Sequence, residues 1–130
     1  MIKPALNYIK GRFKSFTHAF HGVRSLLKEE RNAQIYVVIS IVVLGMSYWL
    51  HISPLEWIVV CSLIGLVFAT EAINTALEEL ADFACNKEIH PSIKKIKDLG
   101  AAAVLFTTMV ALIAGLIIFL PKLLDILNRI

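Results

Sequence analysis

Residues 71–82, EAINTALEELAD, place Glu71, Asn74, Thr75, Glu78 and Asp82 at helical spacing within a very apolar chain. A helix turns about 100° per residue, so offsets of three, four, seven and eleven share one face. Those five residues occupy these offsets, while Ala72, Ile73, Leu77 and Leu80 form an apolar opposite face. The preceding run, Leu55 to Thr70, has membrane-type composition. A charged group at the bilayer centre costs about 2.5–3.5 kcal/mol on insertion scales, so intramembrane acids mark functional sites. Glu71, with apolar residues on both sides, is the candidate for a chemical role. Glu79 reads as a water-facing residue where the helix leaves the membrane.

Further polar residues are positioned to join this seam. Glu30, Arg31 and Asn32 precede the first apolar run, and Lys97 and Asp98 precede the last. Carboxylates from different helices, such as Glu30 and Glu78, can hold Mg²⁺ through oxygen, with water and phosphate completing its shell. A nearby lysine supplies positive charge to phosphates. A carboxylate one or two turns deeper, such as Glu71, can accept a proton from a lipid hydroxyl arriving within the membrane. These parts suit phosphoryl transfer, where catalysis is mostly positioning and charge neutralisation.

The elements that must carry these residues follow from hydropathy. The chain has 130 residues, 58 % of them hydrophobic, and a mean hydropathy of +0.73, too apolar for an ordinary soluble domain. Residues 1–31 hold seven basic and two acidic side chains. Leu6, Ile9, Phe13, Phe16, Phe20, Val23 and Leu27 there draw one apolar stripe, as in a basic amphipathic helix lying at a membrane surface. The broad stripe argues against nucleic-acid binding. Gly11 and Gly22 are expected to bend or interrupt this helix. Three spans are expected at 33–50, 55–83 and 100–120. The first closes on the interfacial pair Tyr48 and Trp49, and Pro121 is expected to stop the third. The second exceeds the roughly 20 residues that cross a bilayer, so its acidic last turns project beyond the hydrocarbon. Residues 84–98 are expected to form a polar connection.

Basic residues cluster before the first span and, as Lys87, Lys94, Lys95 and Lys97, between the second and third. By the positive-inside rule both segments, and the acidic seam, face the cytoplasm. No secretory signal peptide is visible. Cys61 and Cys85 suggest no disulfide framework and read as small hydrophobes. No phosphate-binding glycine loop, kinase loop, HExxH or zinc spacing is found. From the residues alone, metal-dependent catalysis and proton-coupled transport through Glu71 stay open, as does a non-catalytic membrane scaffold.

Motif resemblance narrows this. EAINTALEELAD (71–82) followed by HPSIKKIKDLGAAAVL (90–105), with Glu30–Arg31–Asn32 eight residues after Gly22, closely resembles the prokaryotic diacylglycerol kinase/undecaprenol kinase family. The resemblance covers nearly the whole chain. It implies an all-α membrane protein with an N-terminal amphipathic interfacial helix and three transmembrane helices, assembled as a homotrimer with shared active sites. The implied activity is transfer of the γ-phosphate of MgATP to a membrane lipid hydroxyl at the inner face of a bacterial cytoplasmic membrane. By position Glu71 resembles the catalytic base, and Glu30 and Glu78 the Mg²⁺-coordinating pair. Asn74 resembles an amide beside the base. Lys97, Asp98, Glu88 and His90 resemble nucleotide contacts, and His18 and Arg12 align with N-terminal ATP contacts. His18 and His21 depart from the aromatic and basic residues that the family pattern leads one to expect. Asn32, Asn74–Thr75 and His90–Pro91 look more like the undecaprenol kinase branch than the diacylglycerol kinase branch.

Overall fold

The computed structural model describes residues 2–85 and 90–129, with side chains described from residue 14 onward. Four helices follow in order: α1 (Ile2–Glu29), α2 (Arg31–Trp49), α3 (Pro54–Ala84) and α4 (Pro91–Leu127). Three of them, α2, α3 and α4, are long and apolar enough to cross a membrane. The expectation of an all-helical chain with three spans holds.

Local sequence explains where the helices begin and end. Glu30 adopts an extended conformation (φ −98°, ψ 116°) between α1 and α2, and its side chain makes no capping bond. At the far end of α2, His51 takes a positive φ of 48°, a left-handed conformation in which histidine is enriched among non-glycine residues. Ser53 then starts α3 with a reciprocal capping box. Its Oγ accepts from the Glu56 N–H at 3.3 Å, and Glu56 Oε2 accepts from the Ser53 N–H at 2.7 Å, satisfying two otherwise free backbone donors. Pro54 occupies the first turn, where its missing N–H costs nothing.

Three expectations about boundaries need correction. The helix α1 runs unbroken through Gly11 and Gly22, because a glycine costs only about 1 kcal/mol in a helix interior. The polar stretch 84–98 is not all connection. His90 caps α4 by accepting the Ser92 N–H at 3.2 Å, so α4 begins at Pro91 and carries Lys94, Lys95, Lys97 and Asp98 in its first turns. Pro121 does not stop α4, which continues to Leu127. Proline removes one intrahelical bond but is tolerated where neighbouring helices hold the chain. Beyond it Lys122 pairs with Glu56 of α3 at 3.2 Å, and Leu123 packs on the apolar core.

The helices α3 and α4 form the principal packing pair, with α2 against α3. Their register is antiparallel: Glu56 meets Lys122, Thr70 meets Thr107 and Asp82 meets Lys97. At 1.5 Å per residue, about 39 Å of helix separates Glu56 from Asp82, more than the ~30 Å hydrocarbon core. One ion pair therefore sits near each membrane face, with the threonine bond between them. The apolar core of Ile52, Val60, Ile118 and Phe119 lies at the turn end. The buried residues toward the other end of α3 include Glu71 and Asn74. Most remaining apolar side chains, such as Ile73, Phe106 and Ile117, are exposed, as a surface meeting lipid requires.

Candidate active site

Counting about 20 residues from Leu55 puts the far edge of the hydrocarbon near Thr75. Glu71 then lies about one turn inside that edge and Glu78 about one turn outside it. Glu71 is only 2 % exposed, and its Oε2 is buried without a hydrogen-bond partner among the described residues. Buried polar atoms are nearly always paired, because an unmade bond forfeits the solvation lost on burial. An orphaned carboxylate oxygen at this depth is thus a feature the fold alone does not explain.

Side chains from α2 and α3 converge on it. The Asn32 side chain, in the first turn of α2, lies near the Glu71 carboxyl, and the charges of Glu30 and Glu78 both act on it. Tyr36, one turn beyond Asn32, also feels the Glu71 charge. Its ring meets Phe68 edge-on with centroids 6.3 Å apart. Below this pair, between α2, α3 and α4, an apolar cavity of about 520 Å³ runs toward the turn end, lined by Val43, Val67 and Phe119 among others. The Tyr36–Phe68 pair thus stands between Glu71 and the apolar cavity, which both rings line.

On α3, Asn74 donates from Nδ2 to Glu78 Oε1 at 2.8 Å, and is itself buried. One turn on, Asp82 accepts from Lys97 of α4 at 2.5 Å. Lys97 also feels Glu78. The expected seam of Glu71, Asn74, Glu78 and Asp82 is therefore a continuous row facing α2 and α4.

Four site residues expected from sequence, Glu30, Glu71, Asn74 and Glu78, come together here, with Lys97 at the rim. Asp98 is exposed at the start of α4. His90 uses Nδ1 in capping that helix, which leaves Nε2 for another contact. His18 is exposed on α1. Glu88 and the Arg12 side chain lie outside the described residues. Sequence reasoning missed Asn32 as a neighbour of Glu71 and Asp82 as the partner of Lys97. Only the pairing of helices supplies either.

The donor set fits a hard cation. Glu30, between α1 and α2, and Glu78, on α3, are oxygen donors from different segments; the Glu30 side chain makes no capping bond, and Glu78 has one oxygen engaged by Asn74. No group of three or more metal-ligating side chains is assembled among the described residues. A cation held here would draw the rest of its shell from water and phosphate oxygens, as Mg²⁺ does.

A helical membrane protein with a buried acid at one end of its spans, flanked by oxygen donors and a lysine, belongs to a narrow class. Residues 17–119 match the family model described as prokaryotic diacylglycerol kinase. The chain is 38 % identical over 121 residues to the undecaprenol kinase of Bacillus subtilis, covering 93 % of this chain and 98 % of that one. It is 32 % identical over 113 residues to a diacylglycerol kinase of Synechocystis, covering 87 % of this chain and 65 % of that one. It is 28 % identical over 108 residues to the diacylglycerol kinase of Escherichia coli, covering 81 % and 85 %. The chain belongs to the prokaryotic diacylglycerol kinase family. It is accordingly a membrane lipid kinase, and the transporter and scaffold readings fall away.

Proposed function

We propose that this chain transfers the γ-phosphate of ATP to the hydroxyl of undecaprenol. The relative named undecaprenol kinase supports this acceptor, since it aligns over nearly all of both chains at 38 % identity. The residues Asn32, Asn74–Thr75 and His90–Pro91 point the same way. One observation carries the chemistry: the Glu71 carboxyl, buried one turn inside the membrane edge with an unpartnered oxygen, close to Asn32 and flanked by Glu30 and Glu78.

Glu71 is the general base. It accepts the proton of the lipid hydroxyl as that oxygen bonds to the γ-phosphorus and the bond to the bridging oxygen of ADP breaks. Asn32 orients the carboxyl from α2. The depth of Glu71 suits an acceptor whose tail stays in hydrocarbon, and the cavity below Tyr36 and Phe68 offers that tail an apolar path. Glu30 and Glu78 are the residues that would hold Mg²⁺, which neutralises and orients the triphosphate when bound. Lys97 adds positive charge at the rim, with Asp98 and His90 beside it. Arg12, His18 and Glu88 complete the nucleotide contacts.

The basic, phenylalanine-bearing α1 lies in the interface of the bacterial cytoplasmic membrane. The site faces the cytoplasm, where ATP is found, and the chain assembles as a homotrimer whose subunits share their sites. Purified protein in micelles, given MgATP and either undecaprenol or a short-chain diacylglycerol, tests the acceptor. Phosphorylated undecaprenol is expected. Turnover of diacylglycerol alone would reject the choice of lipid while keeping the class.

A further inference from the structure

We infer that Gly100 of α4 is a positioning residue for Glu78, acting through Asn74; the inference rests on reading Glu78 as a metal-facing carboxylate. Asn74 is 8 % exposed and lies 2.8 Å from Glu78 Oε1. An ionised carboxylate only accepts hydrogen bonds, so the atom facing it must be Nδ2. That fixes the carboxamide and turns Oδ1 the other way. Oδ1 is buried without a hydrogen-bond partner among the described residues. It occupies the space where a side chain at position 100 would begin. A Cβ built on Gly100 overlaps Oδ1 and stands 3.5 Å from Asn74 Cγ and 3.7 Å from Leu77 Cδ1.

The overlap has no neutral escape. Flipping the carboxamide sets its oxygen against the Glu78 carboxylate, acceptor against acceptor. Swinging the side chain about χ1 breaks the bond to Glu78. A methyl group at position 100 therefore acts on Glu78 without touching it. The other described glycines differ. Nothing lies within 4 Å of a Cβ at Gly22, Gly45 or Gly65, and at Gly115 the nearest atom is at 4.0 Å. Small residues commonly let membrane helices approach. Here the space is filled by an amide whose other end holds a site carboxylate.

The test is a double-mutant cycle on the full-length protein in micelles, comparing Gly100→Ala, Asn74→Ala and the double variant, with Gly45→Ala, which has open space around it, as control. The readout is Mn²⁺ affinity in the presence of a non-hydrolysable ATP analogue, from the electron paramagnetic resonance signal of free Mn²⁺. Lipid phosphorylation is titrated against Mg²⁺ beside it. Loss of a group that orients a metal ligand typically costs 10–100-fold in metal affinity or activity. Gly100→Ala and Asn74→Ala are each expected to weaken Mn²⁺ at least tenfold, leave the lipid KM unchanged and raise the Mg²⁺ requirement. The double variant should match Asn74→Ala, because no carboxamide remains to displace. Gly45→Ala should behave as the parent.

Losses that multiply in the double variant, or unchanged Mn²⁺ affinity in Gly100→Ala, overturn the inference. If Gly100→Ala does not fold, recovery of folding in the double variant supports it. Failure of both overturns it, since the obstacle is then not the carboxamide. Glu78→Gln separates the two readings. Unchanged Mn²⁺ affinity there overturns the ligand role of Glu78, whereas a loss there with none in Gly100→Ala overturns the positioning alone.

Discussion

Lys97 on α4 and Asp82 on α3 form an ion pair at 2.5 Å across the open end of the helix pair, and Glu78 stands close enough to act on the same ammonium. The cation assigned to nucleotide phosphates is therefore held in place before any nucleotide arrives, by a residue outside the expected contact set. Both side chains are partly exposed (35 % and 43 %), so screening limits what the pair adds to stability. Its value is orientation. Lys97→Met should raise the KM for ATP roughly tenfold or more, in line with the loss of a charged hydrogen-bond donor. Asp82→Asn should raise it less, since the cation stays and only its anchor is lost. ATP saturation curves at fixed lipid decide this, and equal KM values for parent and Lys97→Met would remove Lys97 from the nucleotide site.

Glu71→Gln keeps the shape of the buried side chain and removes its ability to take a proton. General-base catalysis contributes about 10²–10⁴-fold, so turnover should fall by at least that range while assembly, measured by size exclusion in micelles, is preserved. Retention of full activity would mean that the lipid hydroxyl loses its proton elsewhere.

The carboxylates Glu30 and Glu78 should differ from Glu71 in how they respond to metal. In Glu78→Gln and Glu30→Gln, the Mg²⁺ concentration at half-maximal activity is expected to rise, with excess Mg²⁺ partly restoring the rate. Glu71→Gln should gain nothing from added Mg²⁺. A Glu78→Gln enzyme with an unaltered Mg²⁺ titration would show that its carboxylate does not serve the cation.

The row from Glu71 to Asp82 was legible because helical periodicity depends only on sequence spacing, and the three spans because hydropathy does. What sequence could not supply is register between helices. The pairings Thr70–Thr107 and Asp82–Lys97, and the approach of Asn32 to Glu71, depend on how α2, α3 and α4 slide past one another. Nothing in any one segment fixes that. The helix boundaries were misread for a related reason. Pro121 and the lysines after Pro91 are local breakers or polar signals, and tertiary contacts at Lys122 and Asp82 carry the helix through both. The break between the spans at 33–50 and 55–83 was legible, but neither the Ser53–Glu56 box nor the second use of Glu56, as the partner of Lys122, was.

The threonine pair offers a check on the register itself. Thr70 Oγ1 and Thr107 Oγ1 lie 3.0 Å apart, so one hydroxyl donates to the other, and the accepting one keeps its proton for a carbonyl of its own helix, Val67 for Thr70 or Val104 for Thr107. Hydrogen bonds between membrane helices average about 0.6 kcal/mol. Thr70→Val should therefore cost roughly that in resistance to unfolding, and Thr107→Val about the same. The double substitution should cost less than the two together, because they share one bond. Strictly additive losses would mean that the two hydroxyls do not meet.

At the turn end, stability and catalysis should separate. Ser53 and Glu56 satisfy two free backbone donors at the start of α3, about 22–27 Å along that helix from Glu71 at 1.5 Å per residue. Loss of a serine cap typically costs about 1 kcal/mol. Ser53→Ala should lower the midpoint of denaturant-induced unfolding in mixed micelles by a corresponding amount. The rate with saturating MgATP and lipid should be unchanged at temperatures where the variant stays folded, since no side chain of the site touches the cap. A fall in kcat without a fall in stability would instead mean that the angle at which α3 enters the membrane is transmitted along the helix to Glu71. Measuring both quantities on the same preparation distinguishes a cap that holds the fold from one that also sets the site.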